Sequence, residues 1–332
     1  MSIPVITFFN NKGGVGKTSM VYHLAYMFAE RGVRVLAADL DPQCNLTAAF
    51  MDEEELEDLF SPHADVRTIV DAVTPLREGT GDIAQPALRE INEHLKFIPG
   101  AISLSEFEDD LSNCWARCLD RDKRSFRVIS AFWRVVQRSA EGWADVVLID
   151  LGPNLGSINR AALISADHVI IPLGPDLFSL KGLENLGPTL RKWRTDWKDR
   201  VERNPDKAIV LPSGTMSPIG YIVLRHAIRM DRPVKAYERW IAKIPLIYNN
   251  SVLGQSRPDV TLEKDNNCIG RIKDYRSLMP LAQEAHKPMF LLKPADGALG
   301  AHMRAVQDCY NDFKETASII ALRIGISISE NQ

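Results

Sequence analysis

The residues best suited to chemistry in this chain are two lysines and a threonine set around glycines: Lys12-Gly13-Gly14-Val15-Gly16-Lys17-Thr18. A glycine-rich loop ending in Gly-Lys-Thr turns its backbone N–H groups toward phosphate, lays a lysine on the β- and γ-phosphates and offers a hydroxyl to Mg²⁺. Nucleotide binding is therefore expected of Lys12, Gly13, Gly14, Val15, Gly16, Lys17, Thr18 and the adjoining Ser19. The ordinary form of the loop opens on glycine, where this chain has Asn11. It carries an additional cation instead, Lys12.

Such a loop works only between a strand and a helix. Ile3-Pro4-Val5-Ile6-Thr7-Phe8-Phe9 is a β-branched and aromatic run suited to a buried parallel strand. After the loop, Val21, Leu24, Ala25 and Phe28 recur at helical spacing, and Gly32 is a stop signal. Loop N–H groups and the positive helix end then converge on one anion. A second strand over 33–38 leads into Asp39-Leu40-Asp41-Pro42-Gln43, which puts carboxylates where an open α/β sheet binds ligands. Val146-Val147-Leu148-Ile149-Asp150 has the Walker B form, an apolar strand closed by an acid of the Mg²⁺ shell.

With these motifs in this order, the chain resembles the ParA/MinD group of deviant Walker P-loop ATPases. The resemblance rests on the lysine-bearing loop, on Asp39-x-Asp41-Pro42-Gln43 and on Asp150-Leu151-Gly152-Pro153. Asp41-Pro42-Gln43-Cys44-Asn45-Leu46-Thr47 is similar to the partition-type DPQGNLT segment, with Cys44 in place of glycine. Weaker likenesses follow in Leu95–Gly100, Ala166–Leu173, Leu180-Lys181-Gly182-Leu183 and Pro294-Ala295-Asp296-Gly297, the last being also a plausible adenine contact.

The resemblance implies a catalytic set of Lys12, Lys17 and Asp41. Lys12 would be the signature lysine, reaching the partner's phosphates across an ATP-dependent homodimer, and Asp41 would orient the attacking water, unless it is only a helix N-cap. Thr18 and Asp150 would hold Mg²⁺, with Asp39 one shell further out. It further implies nonspecific DNA binding by the ATP-bound dimer and a ParB-like or cargo-adaptor protein that stimulates a slow hydrolysis.

The 332 residues are 45% hydrophobic and 25% charged, which suits a soluble protein with a substantial core. Alternating strand and helix signals predict an α/β fold: a mostly parallel twisted sheet flanked by helices on both faces. We expect one P-loop domain over 1–332, with insertions near 51–90, 105–140 and 191–276 and no N-terminal helix-turn-helix domain. Phe126, Ile129, Phe132, Trp133 and Val136 repeat at helical spacing and are expected in the core. The acidic run over 52–58 reads as a solvated helix face or loop.

Cys44, Cys114, Cys118, Cys268 and Cys309 form no C-x-x-C pair and no disulfide framework, in keeping with a reduced cytoplasm.

A net charge of −3 announces no polyanion partner, but Arg225, Arg229, Arg232, Lys235, Arg239 and Lys243 fall within nineteen residues that hold two acids. They suit duplex phosphates, and composition alone is equally satisfied by a solvated surface; Arg271, Lys273 and Arg276 would extend the patch. No membrane partner is expected, because Phe313, Ala317, Ile320 and Ile324 fit the apolar side of a docked helix. Two other readings stay open: a MinD-like ATPase recruited to membranes, and a metabolic P-loop enzyme that activates a small carboxylate.

Overall fold

Apolar residues occupy nearly every position of the predicted strands, which requires both faces of the sheet to be covered. The computed structural model, which describes residues 2–62, 65–224, 234–256, 260–275 and 277–329, has that arrangement. Eight strands run β1 Val5–Phe8, β2 Val35–Asp39, β3 Arg89–Asn92, β4 Leu95–Ile98, β5 Val146–Asp150, β6 His168–Leu173, β7 Ser217–Leu224 and β8 Cys268–Ile272. Their spatial order is β3-β4-β2-β5-β1-β6-β7-β8, and all pairings are parallel except the β3–β4 edge hairpin.

Side chains alternate between two cores along each strand. Val5, Leu36, Val147 and Ile171 enter one core, and their neighbours Ile6, Val35, Leu148 and Ile170 enter the other.

The helices are α1 Lys17–Glu30, α2 Asn45–Phe50, α3 Glu53–Phe60, α4 Ile69–Glu78, α5 Phe107–Arg117, α6 Lys123–Ile129 and α7 Ala131–Ala140. After them come α8 Ser157–Ser165, α9 Leu177–Glu202, α10 Val234–Ile241, α11 Ile244–Ile247, α12 Met279–Glu284 and α13 Ala301–Ile324. Residues of α1, α2, α12 and α13 fill one core, and residues of α4 to α9 fill the other.

The acidic run is helix α3, opened by a capping box in which Asp52 accepts from Glu55 N. The helical stretch over 105–140 is broken at Ser130 into α6 and α7. Phe126, Ile129, Phe132 and Val136 are buried as expected, whereas Trp133, next to Phe132 on α7, turns off the buried face and is only half-buried. The stretch expected to be inserted from 191 onward begins inside α9, which runs to Glu202. In α13, Phe313, Ala317 and Ile320 are fully buried and Ile324 is half-buried.

β1 lies between β5 and β6, so the loops after these three strands share one carboxyl edge. That edge holds the candidate site.

Candidate active site

The loop after β1 is open toward solvent. Gly14 and Gly16 hold φ +71° and +72°, values that L side chains adopt only with strain, and Gly13 and Gly14 have nothing within 4 Å of where a Cβ would stand. Lys17, the first residue of α1, is nevertheless buried, and its Nζ donates to the Lys12 carbonyl at 3.4 Å. Burial lowers the pKa of this ammonium, while Asp150 and Asp41 pull it back up. A cation desolvated in this way is poised for a polyanion.

Three carboxylates close the site. Asp39 ends β2 fully buried and accepts from Thr47 N at 2.9 Å, Thr47 Oγ1 at 2.8 Å and Asp41 N at 3.0 Å. Burial pushes its pKa up to about 6 against those hydrogen bonds. Asp41 accepts from Gln43 N at 3.0 Å, and a Cβ on Gly152 would stand 3.0 Å from its Oδ1. The loop after β2 therefore touches the loop after β5. The N-cap of α2 is Cys44, so Asp41 is not a helix cap.

Asp150 is fully buried at the end of β5; neither carboxyl oxygen meets a donor in good hydrogen-bond geometry, the Thr18 hydroxyl being the neighbouring donor. Burial, then the charge of Asp39, raise its pKa well above the usual range; the Thr18 hydroxyl and Lys17 act in the opposite direction.

Two buried oxygens without a well-placed donor are costly unless a cation completes them. Among the described residues no group of three His, Cys, Asp or Glu side chains could hold a metal. A divalent ion at Asp150 and Thr18 would thus need phosphate oxygens as further ligands, the usual manner of Mg²⁺. The residues present fit Mg²⁺–nucleotide.

Lys12 has another partner. Its Nζ pairs with Asp176 Oδ2 at 2.6 Å, and its backbone N donates to Asn10 Oδ1 at 3.0 Å. Asp176 is the N-cap of α9. Sequence reasoning passed over it, although an aspartate three residues before Ser179 at the start of an apolar helical run is a recognisable start signal. Thr47, which fixes Asp39 and also accepts from Gly100 N at 2.9 Å, was legible only as part of the partition-type segment.

Of the basic cluster, Arg225, Arg229, Arg232 and the side chain of Lys235 lie outside the described residues, as does Arg276. Arg239 and Lys243 are exposed, each with its charge 5.4 Å from the Trp240 ring centre. Arg271 pairs with Glu263 at 3.6 Å and Lys273 with Asp308 at 3.0 Å.

A family model described as an AAA domain matches residues 3–203, more than half of the chain. The chain is also similar to the sporulation initiation inhibitor protein Soj of Bacillus subtilis, 31% identical over 192 residues that cover 56% of this chain and 64% of Soj. It belongs to the ParA/MinD-type P-loop ATPases.

Solved structures place this ParA/MinD-type chain in the same fold. A plasmid partition protein from Borrelia burgdorferi covers 97% of this chain and 100% of its own at a TM-score of 0.57 and 17% identity. An ATP complex of McdA(D38A) from Cyanothece covers 98% of both chains at a TM-score of 0.62 and 16% identity. The chain spans between 37% and 64% of the length of most of the leading curated relatives.

Proposed function

We propose that this chain is a partition-type ATPase whose nucleotide state controls its pairing with a second copy and its hold on DNA. The observation that carries the reading is the division of the site. Lys17 is buried beside the buried Asp150, whereas the second lysine of the same loop, Lys12, is paired with Asp176 at the N-cap of α9.

In this reading Gly13 to Ser19 bind the ATP phosphates, with Lys17 neutralising the β- and γ-phosphates. Thr18 and Asp150 hold Mg²⁺, which supplies charge neutralisation on the phosphate oxygens. Asp39, bonded to Thr47 and to Asp41 N, fixes the turn that aims Asp41. Asp41 orients the attacking water, and Lys12 of a second copy adds the cation that a transferring phosphoryl group needs, like an arginine finger.

The surface beside the loop supports a second copy. Leu155, from the loop after β5, and Leu177 and Phe178, which open α9 after β6, are 38%, 43% and 73% exposed. Large apolar side chains gathered at one edge mark a surface suited to burial.

Nonspecific DNA is the proposed polyanion, with Arg239 and Lys243 the described part of its surface. An adaptor protein, ParB-like in role, would stimulate hydrolysis and release the dimer. The membrane-recruited alternative gains no support from α13, whose apolar side is docked; among the described residues no helix is long and apolar enough to cross a membrane. We place the working chain in the cytoplasm, on the nucleoid when ATP is bound.

The test is Lys12→Ala followed by light scattering and DNA co-sedimentation with Mg²⁺–ATP. ATP binding is expected to persist while dimers and DNA binding are lost; dimers of normal strength would refute the trans lysine. In parallel, Asp41→Ala is expected to trap the ATP dimer, and unchanged turnover would remove Asp41 from catalysis.

A further inference from the structure

A lysine that acts on another chain must first let go of its own. In the described chain the Lys12 ammonium is engaged: Nζ lies 2.6 Å from Asp176 Oδ2, which links the loop after β1 to the N-cap of α9. The carboxylate is itself held firmly. Its Oδ1 accepts from Phe178 N at 2.9 Å and Ser179 N at 3.1 Å, and its Oδ2 from Ser179 Oγ at 3.0 Å. The lysine is anchored from behind by its backbone bond to Asn10.

Both partners of the pair keep about a third of their side-chain surface exposed, 33% and 35%. That exposure makes the pair breakable: an ion pair in contact with water contributes little and opens readily. The neighbouring Lys17, by contrast, is 7% exposed, with its Nζ donating to the Lys12 carbonyl. The turn that carries Asp176 also carries Leu177 and Phe178, the exposed apolar side chains that a second copy would cover.

We propose that Asp176 is a positioning residue that parks Lys12 in cis in the nucleotide-free chain and so sets how readily it is delivered to the nucleotide of a second copy. This rests on the two-chain reading above. Parking has two consequences. It keeps an exposed ammonium from lying across its own loop, and it opposes dimer formation by the cost of opening one pair per chain. It also places the release point on the turn that the second copy covers, so that contact and release occur together.

The test uses Asp176→Asn and Asp176→Ser in the full chain, since both replacements remain good N-cap acceptors for α9 and keep folding separate from charge. The first readout is acylation of the Lys12 amine in the nucleotide-free protein by an N-hydroxysuccinimide ester, followed peptide by peptide in the mass spectrometer. A purely structural cap would not move this readout; opening the pair is expected to speed it several-fold in both variants.

The second readout is the dimer dissociation constant with Mg²⁺–ATP, measured by sedimentation velocity. It is expected to fall by up to about fivefold for each pair opened, or up to about 25-fold for two, the upper end for an exposed pair. Unchanged acylation in both variants overturns the parking. Faster acylation with dimers no tighter, or weaker, overturns the role in delivery and assigns Asp176 to the dimer itself. If the unmodified chain stays monomeric with ATP while acylation quickens, the two-chain reading fails, and the delivery half of the proposal falls with it.

Discussion

Cys44 holds a backbone conformation, φ +53° and ψ +32°, that costs an ordinary L-residue about 1–2 kcal/mol. It is tolerated because the turn around it is fixed from both sides. Cys44 N donates to Asp41 O at 2.9 Å, Gln43 N to the Asp41 carboxylate, and Thr47 to Asp39. Its thiol is inert: burial, then the charges of Asp39 and Asp41, push its pKa up to about 12. Glycine at this position would remove the strain, whereas a β-branched side chain would raise it. Cys44→Gly should therefore recover up to about 1–2 kcal/mol in urea unfolding, whereas Cys44→Val is expected to lower stability. Because the same turn aims Asp41, turnover should fall more than nucleotide affinity does. Equal losses in both would show that the turn positions no catalytic group.

At the scale of elements, the buried side chain of His23 joins α1 to the C-terminal half. His23 Nδ1 lies 2.8 Å from Ser19 O, Nε2 accepts from Met289 N at 3.2 Å, and the ring stacks on Phe313 of α13 at 4.9 Å. These partners fix the neutral Nδ1–H tautomer, since a proton on Nε2 would face the Met289 N–H. Burial lowers the pKa to about 4, with the Ser19 carbonyl working the other way. The unfolded chain takes up this proton near pH 6.5, so stability is full above that pH, declines as the pH falls from 6.5 to 4, and is flat below. The loss attributable to His23 amounts to about 3 kcal/mol. In His23→Gln the His23 share of the slope should vanish, so urea midpoints should fall less on acidification across this window, or rise, because buried Asp39 and Asp150 act with the opposite sign there; a slope matching the unmodified chain would assign it to other groups. Elements of this kind were unevenly legible in the sequence. The loop, Asp41 and Asp150 are short strings whose chemistry depends on adjacent residues, and β1 and α1 follow from local period. Helix α9 was hidden past residue 190 because Gly182, Gly187 and Pro188 interrupt its pattern. The reason is tertiary: a Cβ at Gly187 would stand 1.9 Å from the Ser251 carbonyl, so the break in propensity admits a neighbouring backbone. The Lys12–Asp176 pair spans 164 residues, and no local pattern encodes a contact of that range.

For the molecule as a whole, the carboxyl edge of the sheet has to serve two purposes. It must stay open to nucleotide, and in the proposed function it must be covered by a second copy. Phe178 separates the two demands. At 73% exposed it contributes little to the stability of its own chain, and its backbone N–H, not its side chain, belongs to the cap of α9. Lys17 and Thr18 open α1 and Asp150 ends β5, elements apart from the turn that carries Phe178. Phe178→Glu would place a carboxylate in the covered surface, next to Asp176, where an unpaired charge is costly to bury. The expected outcome is a dimer dissociation constant with Mg²⁺–ATP raised by at least about tenfold, the scale of losing a buried aromatic anchor. Affinity for a fluorescent ATP analogue, measured at protein concentrations too low for pairing, should remain within about twofold, since a surface substitution away from the site changes little. Dimers of undiminished strength would move the second copy off this edge. Lost nucleotide affinity would instead mean that the turn supports the phosphate loop directly.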